Sequence, residues 1–104
     1  MNRGELWWAD LPKPAGRRPV LLLSRNVAIQ VRKYVTVAQV TTVVRNLPVE
    51  VPLTESEGMP RACVVNLDVI NTIPKSLLKK PICKLHLGKM RAVEQALRFA
   101  LQLD

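Results

Sequence analysis

The sequence predicts a mainly β fold, a small curled sheet of short strands closed by one C-terminal helix. Three observations carry this. Short stretches rich in β-branched and apolar residues follow one another, separated by turn residues. Helical signals are confined to two brief stretches until the end of the chain. There Met90, Val93, Leu97, Ala100 and Leu101 recur on one face, giving an amphipathic helix of about four turns. Strands in series followed by one helix pack as a sheet curled over its own core, with the helix laid across it. With no linker, repeat or low-complexity segment, residues 1–104 read as a single domain.

Each element has a local reason. Glu5 to Leu11 reads as a first strand holding both tryptophans, and Pro12 to Gly16 as a turn. Arg18 to Ser24 is a second strand, with Pro19 tolerated near its start. Its run Val20-Leu21-Leu22-Leu23 lacks alternation, so both faces should be buried. Asn26 to Arg32 makes a short helical turn from an Asn cap. Tyr34 to Thr42, Val49 to Leu53 and Ala62 to Leu67 are further strands. Ile73 to Leu78 suggests one helical turn, and Ile82 to Leu87 a last strand. The C-terminal helix opens poorly. Gly88 is only a moderate cap, and Lys89 and Arg91 oppose the helix dipole. Packing on the sheet must hold it.

Lys and Arg number 16 against 8 Asp and Glu, a formal net charge of +8. Such a bias in so short a chain favours anionic partners: nucleic acid, an acidic protein or an anionic membrane surface. No apolar run approaches a membrane span, and the first residues lack the apolar segment of a signal peptide. The expectation is a cytoplasmic protein without membrane contact. Cys63 and Cys83 lie in apolar strand contexts and read as free thiols. The single histidine, His86, excludes a paired-histidine acid–base scheme within one chain. No His, Cys, Asp or Glu cluster has metal-ligand spacing, Cys83 and His86 being at best half a site. No metal or cofactor is expected. A chain of this size supports only a small core, so pairing with a second copy would add stability.

Five stretches in order resemble the MazF/PemK family of type II toxins. They are Arg3-Gly4-Glu5-Leu6-Trp7-Trp8-Ala9-Asp10-Leu11, then Gly16-Arg17-Arg18-Pro19-Val20-Leu21, then Val40-Thr41-Thr42 with Pro48 to Leu53 after a loop. Val65-Asn66-Leu67-Asp68-Val69-Ile70-Asn71-Thr72-Ile73 is the fourth, and the helix from Met90 to Leu103 the fifth. The resemblance spans nearly the whole chain, and the arginine–proline step after a glycine is its most telling part. It implies an SH3-like barrel of the CcdB/MazF type that forms a homodimer. It also implies a toxin that cleaves single-stranded RNA, a messenger RNA interferase, silenced by a cognate antitoxin. The basic charge suits an acidic, partly disordered antitoxin tail that competes with RNA.

On this resemblance Arg18 matches the family's active-site arginine, and Thr41 its active-site threonine. A guanidinium grips a phosphate with two parallel hydrogen bonds and stabilises the charge that builds on phosphorus. A threonine hydroxyl can donate to a phosphate oxygen or position the ribose 2′-hydroxyl. The reaction implied is attack of that 2′-hydroxyl on its own phosphate, leaving a 2′,3′-cyclic phosphate and a 5′-hydroxyl. Arg17 should point to the opposite strand face from Arg18 and serve as a general phosphate contact or remain solvated. Thr42 is a weaker counterpart of Thr41. Arg25, Arg32, Lys33 and Arg45 lie near the second and third strands. They form either the groove that tracks the RNA backbone or a solvated face. Asp68 reads a base edge or caps a turn, and Asn71 is a further RNA-binding position where relatives often have a basic residue. Of Trp7 and Trp8, one is expected in the core. The other is expected at the dimer surface or as a stacking face for a base. The turn from Pro12 to Gly16 lacks the serine-glutamate-glutamine segment of many relatives, so no general base is assigned. The alternatives are a non-cutting toxin that poisons a protein such as gyrase, an RNA-binding module without catalysis, and a degenerate toxin kept for regulation.

Overall fold

A computed structural model describes residues 1–104. The strands are β1 (Glu5–Asp10), β2 (Arg17–Leu22), β3 (Tyr34–Thr41), β4 (Glu50–Leu53), β5 (Cys63–Pro74) and β6 (Leu78–Lys84). Helix α1 (Asn26–Val31) lies between β2 and β3, and helix α2 (Leu87–Leu101) ends the chain. The strands form one antiparallel six-stranded sheet in the order β4-β5-β3-β2-β1-β6. The sheet curls into a half-barrel. Its two edges, β4 and β6, are not hydrogen-bonded to each other. A short 3-10 turn, Glu55–Glu57, spans the gap, and the Cys83 thiol on β6 donates to the Glu57 carbonyl at 3.1 Å. The expected fold, mainly β with a C-terminal helix, is borne out.

The unalternating run in β2 behaves as its composition requires. Leu21 and Leu23 enter an inner core with Leu6, Ala38, Val40, Val65 and Leu67. Val20 and Leu22 point the other way, into a second core with Ala9, Ile29, Val35, Val37 and Ile73. Period-two alternation therefore sorts each central strand between two cores. Val93 and Ala96 of α2 seal the inner core, with Met90, Leu97 and Ala100 half-buried beside them. Leu101, expected on the buried face, is 52% exposed because it sits at the helix's last turn.

Three expectations about local structure need correction. The fifth strand does not stop at Leu67 but continues to Pro74. Its pairing with β3 jumps from Asn66 opposite Gln39 to Ile70 opposite Ala38, so Leu67, Asp68 and Val69 form a bulge. The bulge breaks the alternation and lets polar residues mimic a turn. The helical turn expected over Ile73 to Leu78 shrinks to Lys75–Leu77, and β6 begins at Leu78 rather than Ile82. As an edge strand, β6 tolerates Pro81. Helix α2 is capped by His86, not Gly88: the His86 Nδ1 accepts from the Lys89 backbone N–H at 3.2 Å. Lys89, unfavourable to the helix dipole, is spent elsewhere, its Nζ donating to the Pro52 carbonyl at 2.8 Å and tying the helix to β4.

Candidate functional site

The hairpin between β1 and β2 sets the position of Arg18. Gly16 closes its turn with φ of +65°, a left-handed conformation that glycine adopts without strain. The Leu11 backbone N–H donates to the Gly16 carbonyl, and Ala9 pairs with Arg18 across the hairpin. Arg18 then projects from the face that also carries Val20, and Arg17 from the opposite face, as strand alternation demands.

Arg18 is half-buried. Its Nε donates to the Ala15 carbonyl at 3.2 Å, and one terminal nitrogen donates to Gln39 Oε1 at 3.3 Å. Gln39 passes the contact on, its Nε2 donating to Asn71 Oδ1 at 3.5 Å. Two anchors fix the plane of the guanidinium, and its remaining N–H groups stay available to an anion.

Thr41 lies two residues beyond Gln39 on the same face of β3 and borders the same open groove. The groove measures about 280 Å³ and is lined by Arg18, Gln39, Thr41, Val43, Arg45, Asn66 and Val69. The Thr41 hydroxyl oxygen accepts from the Val43 backbone N–H at 3.1 Å, which leaves the hydroxyl proton to be donated. Arg45 is carried by a loop that Glu50 shapes, its carboxylate accepting from the Arg45 and Leu47 backbone N–H groups at 3.0 and 3.3 Å. Glu50 itself is absent from the groove lining, as is every other carboxylate and His86.

The structure therefore gathers Arg18, Thr41 and Arg45 around one groove, with Asn71 attached through Gln39. Asp68 stands exposed on the bulge beside the groove, between the bordering Asn66 and Val69. Its backbone N–H donates to Asn66 Oδ1 at 2.9 Å. Arg17 and Thr42 lie elsewhere. Thr42 borders a smaller pocket of about 110 Å³ with Trp8, Pro19, Met59 and Arg61, on the far side of Thr41. The Arg17 guanidinium stands 5.2 Å over the Trp8 ring. Arg25 and Arg32 border a separate cleft at the other end of β3. Neither tryptophan is fully buried, contrary to the expectation that one would be core. Trp7 packs on the second core, beside Ala9 and Val20, and donates to Glu5 Oε1 at 2.8 Å, so its polar edge stays near solvent.

Gln39 and Asn66 were missed by the sequence reading. The signal for Gln39 was available: it is two residues from Thr41, so strand alternation puts both on one face. Asn66 joins them only because of the bulge that follows it.

The curled half-barrel thus carries an acid-free groove bordered by an anchored arginine, a hydroxyl with its proton to donate and a second arginine, a set of donors whose chemistry suits an anion. A family profile for PemK-like, MazF-like toxins of type II toxin-antitoxin systems matches residues 2–101, and the chain belongs to that family. It is 39% identical over 100 residues to the probable endoribonuclease MazF5 of Mycobacterium tuberculosis, covering 95% of this chain and 91% of that one. Among solved structures, the Mycobacterium tuberculosis toxin MazF-mt6 superposes with a TM-score of 0.89 at 36% identity, covering 96% of this chain and 98% of that one. A mycobacterial endoribonuclease in complex with its cognate antitoxin gives a TM-score of 0.89 at 28% identity, covering 100% and 97%.

Proposed function

We propose that this chain is a toxin of a type II toxin-antitoxin system that cuts single-stranded RNA at a short sequence, without a metal, in the groove between β2, β3 and β5. The observation that carries this reading is the doubly anchored Arg18 guanidinium facing the free Thr41 hydroxyl across a groove with no carboxylate. The family membership and the endoribonuclease names of its relatives support the same reading.

In this mechanism the scissile phosphate accepts from the free N–H groups of Arg18 and from the Thr41 hydroxyl. The ribose 2′-hydroxyl of the preceding nucleotide attacks phosphorus in line. A bond forms from 2′-oxygen to phosphorus, and the bond to the 5′-oxygen breaks. The 2′-hydroxyl proton passes to water, and the departing 5′-oxygen takes a proton from water. Arg18 is worth most when negative charge peaks on the phosphoryl oxygens, which is transition-state stabilisation of the oxyanion-hole kind. Orientation supplies the rest, because nucleophile and phosphate belong to the same nucleotide. Arg45 contacts a neighbouring phosphate. Asp68 and Asn71 present polar groups to base edges. A strand leaving over Thr41 meets Thr42 and the Arg17–Trp8 pair.

The active species is a homodimer in the cytoplasm, and its partner is an acidic antitoxin segment that competes with RNA for the groove. No helix is long and apolar enough to cross a membrane. The half-exposed side chains of Phe99, Leu101 and Leu103 on and beyond α2 offer apolar area for a second copy. The test is induced expression in cells followed by mapping of RNA 5′-ends. Growth arrest with 5′-hydroxyl ends at one short motif, both lost in Arg18→Ala, is the expected result. Growth arrest with intact RNA supports instead a toxin that blocks a protein target.

A further inference from the structure

We propose that the cleft between the end of β2, helix α1 and the start of β3 is a second RNA site, which holds a nucleotide of single-stranded RNA away from the cutting groove. The inference rests on RNA being the ligand of the Arg18 groove, and it gives that substrate a second point of attachment.

The cleft measures about 510 Å³, within the range of small-molecule sites and far roomier than a lone phosphate needs. Arg25 and Arg32 flank it from the two ends of α1, and no acidic residue lines it. Neither arginine has an ion-pair partner, the chain's single salt bridge being Arg3 with Glu94. Between them the floor is apolar, from Leu23 and Ala28. Tyr34 borders the cleft and is 54% exposed. Thr36 and Thr72 meet at 2.8 Å between hydroxyl oxygens, so one hydroxyl proton is used within the pair and the other is left to donate.

This set matches the parts of a nucleotide. Two unpaired guanidinium groups take a phosphate, an exposed phenol ring takes a base by stacking, and hydroxyls take a ribose or base edge. An acidic peptide would use the arginines and leave the tyrosine idle. The position also constrains the ligand. Thr36 precedes Thr41 by five residues on β3, about 17 Å along an extended strand, and an odd spacing puts them on opposite faces. Groove and cleft therefore engage separated stretches of one long RNA. A second attachment raises the local concentration of substrate only when the chain is long enough to reach both.

The experiment compares the wild type with Arg25→Ser/Arg32→Ser and with Tyr34→Ala on two substrates. One is an oligonucleotide just long enough to fill the groove, the other a transcript of several hundred nucleotides carrying the same cleavage motif. Thermal melts establish that both variants fold. The expected result is a KM for the transcript raised roughly tenfold or more, with kcat and all short-substrate constants unchanged. Transcript binding, measured in an Arg18→Ala background, should lose about 0.7 units of log–log salt slope in the double variant as the one phosphate held by the two arginines is released. An unchanged transcript KM overturns the proposal, and so does an equal loss on both substrates, which would put these arginines in the groove. Polyglutamate binding that disappears in the double variant while transcript binding persists also overturns it, in favour of an acidic protein. If the wild type cuts neither substrate but the double variant loses transcript binding, the cutting reading fails and the second site stands.

Discussion

The Arg18 guanidinium crosses from β2 to β3 and donates to Gln39 Oε1 at 3.3 Å, while its Nε is held by the Ala15 carbonyl. One contact comes from the hairpin turn and the other from the neighbouring strand, so the plane of the guanidinium is set by both sides of the groove. Arg18→Ala should abolish cleavage. Arg18→Lys retains charge but loses the planar fork, and should lower kcat by about 10²-fold or more. Gln39→Leu keeps Arg18 but frees one anchor. It should lower kcat by roughly tenfold with little change in KM, because orientation rather than binding is lost. Steady-state cleavage of a short RNA separates the two parameters.

Thr41 tests the second half of the site. Its oxygen accepts from the Val43 backbone N–H, so the hydroxyl proton is left to donate. Thr41→Ser should retain most activity, and Thr41→Val should lose roughly one to two orders of magnitude in kcat. The groove lining holds no carboxylate and no imidazole. The rate should therefore rise with pH through the neutral range without a bell-shaped optimum. A bell in the kcat profile would reveal a base supplied from outside this groove.

The turn that bridges the half-barrel depends on Glu57, a carboxylate that is only 8% exposed. It accepts from the Thr54 backbone N–H at 2.7 Å and from the Thr54 hydroxyl at 3.3 Å, closing a capping box. Glu57→Ala should cost about 1–3 kcal/mol of unfolding free energy, and Glu57→Gln much less because an acceptor oxygen remains. Chemical denaturation of the three proteins would measure this. Leu6→Ala, in the fully buried inner core, should cost about 2–5 kcal/mol by the same assay.

The Glu5 carboxyl sits below its ordinary value of 4.5. Partial burial pushes it up, but hydrogen bonds from the Trp7 indole and from Asn2 outweigh that. A carboxyl depressed in the folded state contributes stability above its unfolded pKa and loses it as pH falls through the folded one. Wild-type stability should fall more steeply on acidification below pH 4.5 than that of Glu5→Gln. Equal slopes in acid melts would contradict the role of these hydrogen bonds.

Much of this architecture was readable from residues. The run Val20 to Leu23 announced a strand buried on both faces, and the structure splits it between two cores. The spacing of Met90, Val93 and Leu97 announced the helix. The second half of β5 was hidden because Leu67, Asp68 and Val69 bulge out of register, and no local pattern signals a strand resuming after such a break. The helix cap at His86 was hidden because an imidazole acting as acceptor is not a preferred cap type. Arg18 and Thr41 stood out through the resemblance of their surroundings to a toxin family. Their shared groove, and the separation of Arg25 and Arg32 from it, depend on how β2, β3 and β5 curl together, which is a tertiary property.

Incubation of the purified protein and its Arg18→Ala variant with a long single-stranded RNA in EDTA tests the central claim most directly. The account predicts cuts at one short motif, with fragments ending in 2′,3′-cyclic phosphate and beginning with 5′-hydroxyl, and no cuts from the variant. Intact RNA from the folded wild-type protein, or cleavage that survives in the variant, would contradict it.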